Sequence, residues 1–232
     1  MGGDGIATDA RESASALRWW LEMGVDAPVQ ETARNRFEPV PAPQSAQPQP
    51  DSTGELPQSL DEFRDWLAGP DAPLASSASK PVIAQGSEGA ELMIIAEPPS
   101  HDELASNHPV GGAPLDLLER MLEAIGMTGK AYLANLACFH SPGTRLTPRQ
   151  IEECAAAARQ HVALVRPKHL LLLGDLPARA LLGKRLVEAR EHVHKVEGVR
   201  TVATFHPRLL LKRPSNKALA WADLLLLTEE DQ

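Results

Sequence analysis

The sequence predicts an α/β domain of three layers, α/β/α, with a central, mainly parallel sheet of four strands. Two observations carry that expectation. Leu92-Met93-Ile94-Ile95-Ala96 and Leu170-Leu171-Leu172-Leu173 are short continuous apolar runs, the pattern of strands buried on both faces. Between such runs lie stretches with apolar residues at helical spacing. Strand and helix therefore alternate, and consecutive strands run parallel beneath covering helices.

Taken in order, residues 1–35 form an N-terminal extension in which Ala10–Gly24 reads as an amphipathic helix, with Leu17, Trp20, Leu21 and Met23 apolar and Gly24 as a stop. Residues 36–58 are a linker rich in Pro, Gln and Ser, a composition that buries too little apolar surface to offset chain entropy. The main domain spans 59–232 and opens with a helix over Leu60–Leu67. After the strand at Leu92–Ala96, Leu115–Gly126 places Leu117, Leu118, Met121, Leu122 and Ile125 on one helical face. Ala131–Leu136 is the second strand. Thr147 caps a long helix that begins at Pro148 and reaches Val165. The third strand, Leu170–Leu173, ends at Gly174 and leads to a short helix over Leu176–Leu182. Val199–Thr204 is the fourth strand, and Asn216–Leu227 a closing helix.

Composition bounds the function. The chain is 43% hydrophobic and 23% charged, which is globular, and no apolar run reaches the roughly 20 residues needed to span a bilayer. The N-terminus lacks the basic-then-apolar layout of a secretory signal, and two cysteines make no disulfide framework, so a cytoplasmic protein is expected. The net charge of −8 hides an asymmetry: residues 1–129 carry 7 basic against 21 acidic side chains, residues 130–232 carry 16 against 10. Because screening limits exposed charges to a reach of about 8–10 Å, the basic half can meet phosphates despite the acidic total. Ordinary solvated surface explains the same split, so charge permits a nucleic-acid partner without indicating one.

In parallel sheets ligands bind beyond the carboxyl ends of the strands. Glu97, Asn135 and His206 all lie there. A lone histidine is more often structural than catalytic, an Asn at a strand end is often a turn residue, and a loop Glu is often simply solvated. Three reactive groups on three strand ends form a constellation that none of them makes alone.

The ordered set Ala96-Glu97-Pro98-Pro99-Ser100, Tyr132-Leu133-Ala134-Asn135, Pro142–Pro148, Glu152–Cys154, Arg166-Pro167-Lys168 before the Leu run to Gly174, Thr204-Phe205-His206-Pro207, and Lys217 with Trp221–Leu224 resembles the uracil-DNA glycosylase superfamily. The resemblance covers about Ala68 to Leu227 and is nearest the thermostable type, whose members often carry an iron–sulfur cluster. It implies a monofunctional hydrolase of N-glycosidic bonds acting on DNA that contains uracil or another deaminated base, in base excision repair. By the same resemblance Glu97 and Glu103 are catalytic acids near the attacking water, and His206 stabilises the departing uracil anion. Pro98, Pro109 and Asn135 line the base pocket, where an amide with a donor and an acceptor can meet N3–H and O4 together. Arg208, Lys212, Arg213 and Lys217 fall at DNA-binding positions, with Leu209 as the wedge beneath a flipped base. The alternative for that loop is a turn with some of Leu209–Leu211 in the core.

The sequence departs from the family in two places. The usual Gly-Glu-Ala-Pro-Gly becomes Ala96-Glu97-Pro98-Pro99-Ser100, which removes two glycines and one N–H, and the aromatic that stacks on uracil falls at Pro109. Cys138 and Cys154 match two cluster ligands, whereas the other two fall at Gly69 and Ala72. A cubane cluster takes four cysteines, so no iron–sulfur cofactor and no metal are expected, with Cys138 and Cys154 either remnants or plain buried residues. The remaining expectations are a monomeric, nucleoid-associated bacterial protein and a repair partner docking through the N-terminal helix. Two rival readings stay open: a catalytically degenerate binder of DNA or a repair partner, and a glycosylase for hypoxanthine or xanthine.

Overall fold

The computed structural model describes residues 56–76, 79–140 and 146–229. The expected N-terminal helix, most of the linker and Pro142–Arg145 lie outside the described residues. In chain order the elements are α1 (Leu60–Ala68), β1 (Leu92–Ala96), α2 (His101–Ser106), α3 (Ala113–Ala124), β2 (Ala131–Asn135), α4 (Pro148–Val165), β3 (His169–Leu173), α5 (Asp175–Leu182), α6 (Leu186–Ala189), β4 (His194–Val196), β5 (Val199–Thr204), α7 (Pro207–Lys212), a 3₁₀ turn (Pro214–Asn216) and α8 (Lys217–Thr228).

The sheet order is β2-β1-β3-β5-β4. β2, β1, β3 and β5 are parallel, as the alternation of strand and helix predicts. Among the described residues the sheet has five strands, not the four expected. β4 pairs antiparallel with β5 through a turn at Glu197-Gly198, where both residues have positive φ, 48° and 79°. That backbone suits a tight hairpin following the right-handed twist of its strands. Three residues, His194-Lys195-Val196, are too few to show periodicity, which is why the strand escapes a reading of the sequence.

Alternation along the strands builds two cores. Met93, Ile95, Tyr132, Ala134, Leu170, Leu172 and Ala203 face α4 and α5 with Cys154, Ala158, Val162 and Leu181. Leu92, Ile94, Ala96, Leu171, Leu173 and Val202 face α3 and α8 with Leu118, Leu122, Leu224 and Leu227. All four leucines of β3 are fully buried. Truncating one such residue to Ala costs about 2–5 kcal/mol, so this strand is the anchor of the sheet.

The helix boundaries follow local chemistry. Thr147 caps α4, its hydroxyl accepting from the Gln150 N–H at 3.3 Å, while Gln150 Oε1 accepts from the Thr147 N–H at 2.9 Å. Pro148 opens the helix where no N–H is needed. Beneath the sheet, His161 of α4 is buried against Tyr132, whose hydroxyl lies 2.8 Å from Nε2, and Arg64 Nε donates to the same hydroxyl at 3.1 Å. Burial, with the charge of Arg64 adding to it, pushes the His161 imidazole down to about 3, so it is neutral. No helix among the described residues is long and apolar enough to cross a membrane.

Candidate active site

Strand register sets the site. Ala96 lies level with Asn135 on one side and Leu173 on the other, and Leu173 is level with Thr204. The carboxyl ends therefore form one row, from which Glu97, Asn135 and His206 emerge. β1 leads outward to β2 while β3 and β5 lie on its other side, so the topological switch point falls between β1 and β3. Glu97 follows β1 and Gly174 follows β3. A Cβ at Gly174, whose φ is 109°, would meet the Glu97 side chain at once. The glycine is the clearance that lets the carboxylate lie across the crevice.

Glu97 Oε1 accepts from the Asp175 N–H at 3.2 Å, and Oε2 lies 3.6 Å from the Arg208 guanidinium. Burial pushes the Glu97 carboxyl above its ordinary range, and Arg208 opposes that shift. Glu103 is buried at the first turn of α2, where its Oε2 accepts from both the N–H and the hydroxyl of Ser100 at 2.6 Å. This capping arrangement gives Glu103 a structural role in shaping the loop after Glu97.

Asn135 is 8% exposed. Its Nδ2 donates both hydrogens to backbone carbonyls, Glu97 O at 2.7 Å and Pro109 O at 2.9 Å. Two carbonyl partners fix the amide orientation, and Oδ1 is left buried without a partner. The sequence expectation that this amide offers a donor and an acceptor is therefore revised: one open atom remains, an acceptor. Pro109 is buried at this contact, and Pro98 is half-buried beside Glu97.

His206 is 4% exposed. Its Nδ1 accepts from the Arg208 N–H at 3.2 Å and from Arg208 Nε at 3.4 Å, so the ring hydrogen sits on Nε2. That Nε2 is buried without a partner. Burial, then the Arg208 charge, pushes the imidazole down to about 3, leaving a neutral donor. Behind it, Asp223 is fully buried and accepts from Thr204 Oγ1 at 2.7 Å and Arg190 Nε at 2.8 Å, while the Arg190 guanidinium stacks 4.4 Å from the Phe205 ring. The residues on either side of β5's end are thereby held, and His206 with them.

The loop after His206 is the short helix α7. Leu210 is core, Leu209 is half-buried against the first core and Leu211 is 41% exposed. Leu211 thus projects further than Leu209, the residue expected as a wedge. Lys212, Arg213 and Lys217 are exposed, whereas Arg208 turns inward to Glu97 and to Glu103, 3.5 Å from its Oε2. Gly174 and Asp223 lie inside stretches that carry the resemblance, but nothing in the sequence marks the clearance at Gly174, the inward turn of Arg208 or the pairing of Asp223 with Arg190. The Ser100-x-x-Glu103 spacing is a capping-box signature legible in the sequence.

The positions of an iron–sulfur cluster do not fit one. Cys138 packs with Phe63, Leu67, Ala72, Phe139 and Ala157, and Cys154 belongs to the core beneath the sheet. Burial pushes both thiols up to about 12, and Gly69 and Ala72 stand where the other two of four ligands would be. Among the described residues no group of three or more His, Cys, Asp or Glu is placed to hold a metal.

Comparison with known proteins agrees with the geometry. The chain is 27% identical over 170 residues to a type-4 uracil-DNA glycosylase of Archaeoglobus fulgidus, covering 68% of this chain and 85% of the relative. It is 25% identical to the type-4 enzyme of Pyrobaculum aerophilum, over 66% and 85% of the two chains, and 22% identical to that of Thermotoga maritima, over 62% and 79%. The pattern of the uracil DNA glycosylase superfamily matches residues 83–225, a stretch that begins just before β1 and ends within α8. With Glu97, Asn135 and His206 on one row of strand ends inside that stretch, the chain belongs to the uracil-DNA glycosylase superfamily.

Proposed function

We propose that this protein is a monofunctional glycosylase that hydrolyses the N-glycosidic bond of uracil in DNA, as the names of its relatives say of them. The observation that carries the reading is that, of the four buried, unpartnered side-chain polar atoms among the described residues, Asn135 Oδ1 and His206 Nε2 both lie at the carboxyl ends of the strands. Orphaned polar atoms are costly in a core and are retained where a ligand satisfies them. One is an acceptor and one a donor, the complement of the adjacent N3–H and O2 of uracil. Cytosine presents an acceptor at N3, which would face Oδ1 lone pair to lone pair.

The chemistry follows from these groups. Water attacks C1′ and the C1′–N1 bond breaks, its electron pair leaving on the uracil ring. Glu97 takes the water proton and its charge favours the cationic sugar. The His206 Nε2–H donates to the developing negative charge on O2, a preorganised donor held buried at the strand ends. Lys212, Arg213 and Lys217 supply phosphate contacts. Leu211, ahead of Leu209, is the side chain that fills the gap left by the flipped base. This reading routes no step through an iron–sulfur cluster, since the sequence supplies two cysteines where a cubane takes four.

One feature favours a second reading. With both Asn135 donors occupied, the side chain reads only an N–H beside a carbonyl, an edge that hypoxanthine and xanthine share with uracil. Incubating oligonucleotides bearing uracil, hypoxanthine, xanthine or cytosine with the protein, then cleaving abasic sites with alkali, separates the readings. Strand breaks at uracil alone support the first, and breaks at all three lactam bases support the second. Retained DNA binding with no breaks would overturn both in favour of a binding protein.

A further inference from the structure

We infer that Arg208 is a positioning residue of the catalytic centre, an internal clamp on Glu97 and His206, and not a contact to the DNA backbone. The inference rests on the proposed roles of those two side chains. Arg208 is the first helical cation after His206-Pro207, in a stretch whose Lys212 and Arg213 face solvent, so sequence alone places it on phosphates.

The structure places it elsewhere. One guanidinium nitrogen lies 3.6 Å from Glu97 Oε2 and the other 3.5 Å from Glu103 Oε2, while Nε and the backbone N–H both point at His206 Nδ1, 3.4 and 3.2 Å away. Each of the three side-chain nitrogens thus has a partner within the site, and the side chain is 28% exposed. Two carboxylates against one guanidinium leave the trio with a net negative charge. A phosphate brought there would meet repulsion rather than a free cation.

Three consequences follow from the geometry. Glu103, anchored by Ser100 at the start of α2, fixes one end of the clamp, so the guanidinium plane has a set position. That plane holds Glu97 Oε2 while the Asp175 N–H holds Oε1, which orients the carboxylate across the crevice. The donors on Nδ1 keep the His206 hydrogen on Nε2. The charged groups facing Glu97 are Arg208 on α7 and Asp175 on α5, and Asp175 is itself paired with Arg179 at 2.6 Å. Arg208 is therefore the cation that favours the ionised form of Glu97, against burial and Asp175.

Arg208→Gln and Arg208→Lys in the full chain test this, with two readouts that do not need activity. The first is the salt dependence of affinity for a uracil-containing duplex. A lost phosphate contact lowers the slope of log K against log[salt] by about 0.9, and a lost internal clamp leaves it unchanged. The second is the ¹³C-detected titration of the Glu97 carboxyl, which moves upward in Arg208→Gln and returns toward wild type in Arg208→Lys. In single-turnover excision at neutral pH, Arg208→Gln slows the reaction by about tenfold or more, with the acid limb of the rate profile displaced to higher pH. Circular dichroism and the unchanged salt slope together report that the variant is folded. A reduced salt slope, or an unmoved Glu97 titration, overturns the proposal. Absence of uracil excision by the wild type instead overturns the functional reading, and leaves these two readouts to decide the clamp.

Discussion

Two histidines of this fold, His161 and His206, are buried alike and held neutral alike, with imidazoles pushed down to about 3. They differ most plainly at Nε2. Nε2 of His161 meets the Tyr132 hydroxyl at 2.8 Å, and Nε2 of His206 meets nothing. The first lies beneath the sheet in a closed network that Arg64 completes. The second lies at the carboxyl row, where strands end and helices have yet to cover them. Depth and ionisation are therefore poor guides to function here. His169 Nδ1, at the opposite end of β3, is also buried without a partner, so an open ring nitrogen marks a ligand site here only together with its place on the carboxyl row.

The largest expected effect comes from breaking the open member of the pair. His206→Ala is expected to slow single-turnover uracil excision by about 10²–10³-fold, the usual loss for one preorganised anion donor. An unchanged rate would dissolve the distinction. The closed member should respond in the opposite currency. His161→Ala leaves the Tyr132 hydroxyl without its imidazole partner and opens a void, a loss of about 2–4 kcal/mol in denaturant unfolding with the excision rate per folded molecule unchanged. A smaller effect touches what the two share. Each imidazole is lowered in the folded state from an ordinary value of 6.5, so the unfolded chain binds more protons between about pH 3 and 6.5. Stability is then full above that window and falls as pH drops through it, by about 1.4 kcal/mol per pH unit for each histidine. Unfolding free energies measured between pH 4 and 6.5 should show a shallower slope when either histidine is replaced by a group that does not titrate.

Much of the frame is legible in the chain because it depends on side chains that face one environment throughout. Leu92–Ala96 and Leu170–Leu173 are apolar at every position since both faces of the sheet are covered, and Thr147-Pro148 announces a helix start by its own chemistry. The strand ends are legible for the same reason: a polar residue follows an apolar run. What stays hidden is how the site residues are partnered. Asn135 gives its two hydrogens to the carbonyls of Glu97 and Pro109, and every residue has a carbonyl, so no residue type marks the contact. Arg208 has the same obscurity, because the carboxylates that turn it inward lie more than a hundred positions earlier. β4 is hidden by brevity, its pairing set by the turn at Glu197-Gly198 rather than by any pattern of its own.

That short strand bears on how molecules of this protein meet one another. The outer margin of a sheet is a row of unpaired backbone groups able to template a strand from a second chain. On one side the four parallel strands give way to three residues of β4, with Lys195 exposed among them. On the other, Gln85 exchanges both of its backbone hydrogen bonds with Leu133 at 2.8 and 2.7 Å, occupying the outer edge of β2 at mid-strand. Neither margin offers a long, flat ladder, so the sheet that displays the reactive row is poorly suited to growing into a fibre.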